Sequence, residues 1–409
     1  MQGGDSLVGE GWYHENITIP MPGSSTNYYI FSIGVTGTSQ LGLYYSIVDL
    51  SLNGGLGAVV VRNIQLSNLQ AFDGIASVKH GNGRDWWLVF KTGGQLSQPS
   101  NIFYIYLISP SGISPPVFRA MGEIINNNAG SISFSKAGNK MLLTSWNQII
   151  EVCDFDRCSA LFSNITVIEQ EATSPTSMHF SSCFSPSGDL IYVTHIPYFV
   201  SDSVHYLFQY NLLAGNIAAS RDTIYYTYHP NELSGICLAP DDKIYVTSHF
   251  DCGSGCFPYP DSVYNTINMT LSVINSPDSL GSVCNFQPNS FYLGGKRAYF
   301  GLPNNPDYEL GPEVGSQCDS LFLSVSNPIG IEEINVYPNP FFNKVTLHPA
   351  RISNAEILIE VFNSSGEKVF HKTALCELQD LDLSDLPKGI YILKISGNRF
   401  VATSKLVKL

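Results

Sequence analysis

Charge is scarce in this chain. Only 13% of its 409 residues are Asp, Glu, Lys or Arg, too few for a disordered polyelectrolyte or a long solvent-exposed helix. Basic residues are the scarcer sign, 21 Lys and Arg against 34 Asp and Glu. The excess is local: residues 328–409 hold nine of each sign, so residues 1–327 carry 12 basic against 25 acidic. An acidic region of that kind argues against nucleic acid as a partner and is compatible with a cation or with simple solubility. No apolar run approaches the ~20 residues of a membrane-crossing helix. No long stretch repeats apolar residues at helical spacing. A G-x-S-x-G elbow, a Walker phosphate loop, H-x-H and H-E-x-x-H are all missing, so no catalytic or cofactor motif is legible. The opening Met1-Gln2-Gly3-Gly4-Asp5 has neither a basic nor an apolar export segment.

What is plentiful is Gly (35), Tyr (22) and Phe (23), the balance of an all-β chain with many tight turns. One phrase recurs. Phe134-Ser135-Lys136-Ala137-Gly138 leads into Met141-Leu142-Leu143-Thr144, Phe184-Ser185-Pro186-Ser187-Gly188 into Ile191-Tyr192-Val193-Thr194, and Leu238-Ala239-Pro240-Asp241-Asp242 into Ile244-Tyr245-Val246-Thr247. Each is a strand end, a turn and an apolar β-branched or aromatic strand. A period of about 40–55 residues with several strands per unit predicts a β-propeller, one blade per repeat. Six blades are expected, near 17–62, 72–119, 129–168, 178–225, 233–276 and 286–326. A linker at 327–334 follows, then about 75 residues of short strands suited to a small Ig-like β-sandwich.

The last eighty residues resemble a known family. Tyr337-Pro338-Asn339-Pro340 opens the stretch, Gly389 and Tyr391 stand late in it, and Lys405 to Lys408 close it. These resemble the type A C-terminal sorting domain of the type IX secretion system of Bacteroidota. The resemblance implies recognition by that secretion machinery, passage through the periplasm, and release or attachment at the outer surface. Val78 to Trp87, Asp154 to Cys158 and Gly301 to Asn304 resemble the propeller regions of uncharacterised proteins that end in this domain. Such relatives carry a signal peptide and a further strand-rich unit upstream. That implies residues 1–326 are an N-terminally incomplete part of a seven-bladed propeller, with the signal peptide missing from this chain.

Nine cysteines fit an exported, oxidising setting. Cys252 with Cys256, and Cys284 with Cys318, are the expected disulfides; Cys153 or Cys183 is a candidate partner for Cys158, and an odd count leaves at least one thiol free. The densest polar cluster is His80, Asn82, Arg84 and Asp85. A Gly-flanked loop of this kind either presents those groups to an anionic or carbonyl ligand or ties a blade turn to its own strand. Asp154, Asp156 and Arg157 form either half a calcium loop or a solvated turn. His179, His195, His205, His229 and His249 are spread over three blades.

The sequence thus reads as an exported two-domain all-β protein whose propeller is a binding or adhesion module of unknown ligand, with no cofactor, no nucleic acid and no transmembrane segment. The alternatives are a propeller hydrolase or lactonase with a channel-bound divalent metal, and a structural envelope component. Convergence of three or more carboxylates, histidines or asparagines on one point would separate the first two.

Overall fold

The computed structural model describes residues 1–9, 14–34, 41–93, 100–125, 129–170, 177–197, 204–250, 263–319, 334–349, 353–376, 378–397 and 400–409. The chain divides into two compact units, Met1–Leu321 and Phe322–Leu409.

The first unit is a succession of antiparallel blades. Blade 1 holds β1 (Asn16–Pro20), β2 (Asn27–Gly34), β3 (Gly42–Asp49) and β4 (Ala58–Ser67). Blade 2 holds β5 (Ala71–Lys79), β6 (Trp86–Thr92), β7 (Ser100–Ser109) and β9 (Val117–Ile125), with the two-residue β8 (Gly112–Ile113) as an extra. Blade 3 holds β10 (Gly130–Phe134), β11 (Lys140–Ser145), β12 (Ile150–Phe155) and β13 (Phe162–Glu169). Blade 4 holds β14 (Ser177–Phe184), β15 (Leu190–Pro197), β16 (Val204–Asn211) and β17 (Asp222–Tyr228). Blade 5 holds β18 (Asn231–Leu238), β19 (Ile244–Phe250), β20 (Thr270–Ile274) and β21 (Phe286–Tyr292). Among the described residues no helix is long and apolar enough to cross a membrane, which says nothing of strands.

The repeated phrase is the hairpin between the first two strands of blades 3, 4 and 5. Its turn closes with Gly138 N–H to Ser135 O at 2.8 Å, Gly188 N–H to Ser185 O at 2.9 Å and Asp242 N–H to Ala239 O at 3.0 Å. Gly138, Gly188 and Asp242 all have positive φ, a backbone that glycine adopts freely and aspartate tolerates better than most residues. The threonine that ends each phrase then reaches the next unit. Thr144 Oγ1 lies 3.1 Å from Ser182 Oγ, and the Thr194 hydroxyl donates to Ser234 O at 2.7 Å.

First strands β5, β10, β14 and β18 pack side by side, and apolar side chains fill much of the faces between blades. Phe31, Ile75, Leu88 and Phe90 fill the seam of blades 1 and 2; Phe72, Val89, Met141 and Leu143 that of blades 2 and 3. Leu142, Ile150, Phe184 and Tyr210 fill the third seam, and Tyr192, Leu207, Leu233 and Ile236 the fourth. Each fully buried side chain of this size contributes about 1.5–3 kcal/mol, so seams rather than single blades hold the unit together.

The expected sixth unit is corrected. Phe286–Tyr292 is the outer strand of blade 5, pairing Phe291 with Leu271 and Gln287 with Val273. Residues 293–319 contain no strand, and the strand expected at Leu321–Val325 lies outside the described residues. Phe300 nevertheless takes up the contacts of a next first strand. Its carbonyl accepts from Gly235 N–H at 2.8 Å and from the Thr247 hydroxyl at 2.9 Å, as Ser234 O accepts from Thr194.

The second unit pairs a three-stranded sheet with a four-stranded one. The first runs β22 (Ile334–Tyr337), β23 (Lys344–Pro349), β26 (Gln379–Asp382); the second runs β25 (Lys368–Cys376), β24 (Ser353–Phe362), β27 (Gly389–Gly397), β28 (Phe400–Lys408). Phe341, Leu347, Ile359, Val361, Leu393 and Leu406 are among its core residues.

Candidate functional site

The turns of the repeated phrase lie at one end of the blades. At the other end, blade 4 is flanked on both faces by clusters of histidine and glutamate.

On the face toward blade 3, register builds a row across the sheet: His179 pairs with His195, His195 with Tyr206, and Tyr206 with Tyr226. His179 Nδ1 and His195 Nδ1 are 3.2 Å apart, and His179 Nε2 lies 3.1 Å from the Glu169 carboxylate at the end of β13. Glu169 also accepts from the Tyr210 hydroxyl at 2.6 Å and pairs with Arg221 at 3.3 Å. Burial works to raise the Glu169 carboxyl, but His179, Tyr210 and Arg221 outweigh it and hold it at about 2. Burial pushes His195 down to about 3; His179, Arg221 and His205 push the same way, and Glu169 opposes them. Arg221 lies over the Phe208 ring at 4.9 Å, and Phe208 stacks on Tyr206 with ring centres 5.2 Å apart. The row ends in solvent: Tyr226 is 54% and Tyr228 57% exposed, their rings 5.8 Å apart and nearly perpendicular.

On the face toward blade 5, three histidines converge on Glu232. His249 Nε2 is 2.9 Å from one carboxylate oxygen; His229 Nδ1 at 3.3 Å and His205 Nε2 at 3.6 Å face the other. Their hydrogen bonds and charges outweigh burial and hold the Glu232 carboxyl below its usual range. Burial pushes His205 down to about 4. Phe300 packs on His249 with ring centres 4.2 Å apart. Among the described residues no group of three or more His, Cys, Asp or Glu is arranged to hold a metal ion; these ring nitrogens face carboxylates.

All five histidines singled out in the sequence are therefore brought together, in two clusters. The partners Glu169, Glu232, Arg221, Tyr226 and Tyr228 were not singled out. A faint signal existed, because a histidine closely follows the phrase-ending threonine in Thr194-His195 and in Thr247-Ser248-His249.

His80, Asn82, Arg84 and Asp85 sit elsewhere, in the turn joining β5 to β6, and bond mainly to one another. Asn82 Oδ1 accepts from Arg84 N–H at 3.0 Å and Asp85 N–H at 2.9 Å. Asn82 Nδ2 donates to Asp85 at 2.8 Å, and Arg84 grips the same carboxylate at 2.7 and 3.0 Å. His80 Nδ1 accepts from Asn82 N–H at 3.0 Å. These bonds tie the turn to itself. Asp156 likewise caps its own turn, accepting from Cys158 N–H at 2.7 Å and Ser159 N–H at 3.1 Å, and Asp154 accepts from Asn164 Nδ2 at 2.7 Å. Arg157 is not the solvated turn residue expected: it is buried, donating to Lys79 O at 2.8 Å and Gly311 O at 2.5 Å.

The disulfide expectation is corrected as well. Cys318 bonds to Cys158, with Cα atoms 5.5 Å apart, while Cys284, Cys153 and Cys183 are buried free thiols. Chain proximity misled here, because residues 299–319 return to the far side of the unit before Cys318 is reached. Cys252 and Cys256 lie outside the described residues.

In the second unit the sorting-motif residues close on one another. Asn339 Nδ2 donates to Lys405 O at 2.6 Å and its Oδ1 accepts from Val407 N–H at 2.9 Å. Phe341 exchanges backbone bonds with Val407 and Leu409. Lys408 buries its ammonium against Leu383 O at 2.6 Å and Ser384 O at 2.8 Å. The Tyr391 hydroxyl reaches Pro387 O at 2.6 Å, and Gly389 pairs with Lys408. Tyr337 is half exposed beside Pro338 and Pro340.

Residues 335–409 match the family model of the secretion system C-terminal sorting domain. The chain thus carries the sorting tail of type IX secretion behind a β-propeller. A search of curated proteins finds no match. Among solved structures, a luciferin-regenerating enzyme is 13% identical over 58% of this chain and 72% of that one, with a TM-score of 0.35. The hydrazine synthase of Kuenenia stuttgartiensis is 14% identical over 67% and 66%, at 0.37. A Dos1 propeller is 11% identical over 57% of this chain and only half of its own, at 0.34. Likenesses this distant assign the chain no activity.

Proposed function

We propose that the protein is an exported binding module whose propeller takes a polyhydroxylated ligand, a glycan, at the histidine-bearing end of blade 4. The observation that carries the reading is the row from Glu169 through His179, His195 and Tyr206 to Tyr226. Half-exposed Arg221, held in place by Glu169, can donate to hydroxyl pairs, and exposed tyrosine rings cover the C–H faces of a sugar with apolar surface at low conformational cost. The sorting tail would carry such a site out of the cell, where it meets envelope and environmental polysaccharides.

Convergence on Glu232 is also the feature that a hydrolase with a bound metal would need. The imidazoles meet the carboxylate rather than a shared empty point, which favours hydrogen-bonded recognition over metal chemistry.

The test is a glycan array probed with the full chain and with Glu169→Gln. The expected result is binding of a defined glycan class by the wild type, weakened at least tenfold in the variant, which melts lower because it loses the ion pairs of Glu169 but is still folded at the temperature of the assay. Absence of any glycan signal, or equal signals from both proteins, overturns the reading.

A further inference from the structure

We propose that residues 299–318 are a redox-latched strap that ties blade 5 to blades 1, 2 and 3, with the Cys158–Cys318 disulfide as its latch.

Two ends of the blade series meet on this segment. Phe300 bonds to Gly235 and Thr247 of blade 5, as described. Asn304 Nδ2 then donates to His14 O at 3.3 Å and Ile75 O at 2.7 Å, and the Tyr308 hydroxyl to Thr18 O at 2.8 Å. Further on, the strap follows β5 in parallel: Lys79 donates to Tyr308 O at 2.6 Å and Glu313 N–H to Gly81 O at 2.8 Å. It therefore joins blade 5 to blades 1 and 2, and finishes on the turn end of blades 2 and 3.

The strap is held at points. No strand ladder runs through 299–318, so its attachment is weak for its length, and an unlatched edge in a ring is a liability. The latch compensates. Cys158 and Cys318 are 160 residues apart, and closing a loop of that size strongly restricts the open ensemble. The local sequence is built around the bond. Buried Arg157 clamps Lys79 O and Gly311 O. Gly81 has no room for a side chain, because a Cβ there would lie 2.4 Å from Cys318 Sγ and 3.0 Å from Cys158 Sγ.

Closure is an oxidation. The Cys158 thiolate attacks the disulfide of an oxidant of the protein-disulfide or glutathione-disulfide class, releasing one thiolate. The Cys318 thiolate then displaces the second from the mixed disulfide. Two protein thiols become one disulfide, and the oxidant, taking up the two electrons and two protons, becomes two thiols. The thiols of Cys153 and Cys237 are pushed up by burial to about 12 and about 11, which keeps them out of the exchange. Export from a reducing to an oxidising compartment would thereby fasten the strap after translocation.

The test is hydrogen exchange by mass spectrometry on the full chain: oxidised, reduced in place with a phosphine, and as Cys158→Ser/Cys318→Ser. Amides of 303–318 are expected to lose at least tenfold protection in both unlatched forms, while β10–β12 stay protected; glutathione disulfide restores the reduced sample but not the variant. If the variant fails to fold, in-place reduction of the folded protein gives the reading. Equal protection of 303–318 with and without the bond overturns the proposal, as does peptide mapping that finds Cys158 or Cys318 in another pairing.

Discussion

Acidification from pH 7 to pH 4 is expected to unfold the propeller. Three histidines are buried in neutral form: burial pushes His14 to about 4, His195 to about 3 and His205 to about 4. Each titrates near 6.5 when unfolded, so below that pH the unfolded chain binds protons that the folded chain refuses. Their contribution is intact above 6.5 and is lost as pH falls toward 3–4. A tenfold change in proton affinity corresponds to about 1.4 kcal/mol, so each histidine amounts to a few kcal/mol, and together they approach the whole stability of an ordinary domain. Glu169, held at about 2, adds a loss of the same sign below 4.5. Glu151 opposes them, because burial raises it to about 7 and acidification relieves that cost between pH 7 and 4.5. Three histidines outweigh one carboxylate. Tryptophan fluorescence followed against pH should show a cooperative loss between pH 6 and 4, displaced downward by His14→Gln. A flat signal to pH 3.5 contradicts the assignment of these histidines as neutral and buried.

Removing residues 335–409 is expected to abolish release from the cell while leaving the propeller folded. The tail forms its own compact unit with its own core, and the propeller seams are filled by the propeller's own residues. Behind a supplied export signal, in a host with the secretion system, the truncated chain should accumulate in the periplasm, with its extracellular fraction down at least a hundredfold. Conversely, the tail fused to a periplasmic reporter should carry it out. An unchanged extracellular fraction after truncation would refute the role of the tail.

Local chemistry was legible in the sequence, and long-range geometry was not. The turn phrases announced β10 to β11, β14 to β15 and β18 to β19, because a positive-φ residue between a strand end and an apolar run has few other uses. The sorting tail was legible by its resemblance to a known family, and the structure shows what its motif residues do: Asn339 and Lys408 hydrogen-bond backbone groups, and Gly389 pairs with Lys408. Phe286–Tyr292 was assigned to the wrong unit because an apolar run states that it is a strand, not which neighbour it pairs with. The disulfide was missed for the same reason, since the partner of Cys318 is set by the path of the strap and not by spacing. The site was half legible. Five histidines stood out by type, but their convergence depends on register, such as His179 opposite His195 and His195 opposite Tyr206, and register is fixed by packing across whole sheets.

The most direct test of the binding account is titration calorimetry of the full chain with the glycan that the array selects, beside Tyr226→Ala/Tyr228→Ala. Both tyrosines are more than half exposed, so their loss should leave the melting temperature within a degree or two. The account predicts that the double variant binds at least tenfold more weakly. Unaltered affinity in a folded double variant would place the ligand elsewhere and contradict it.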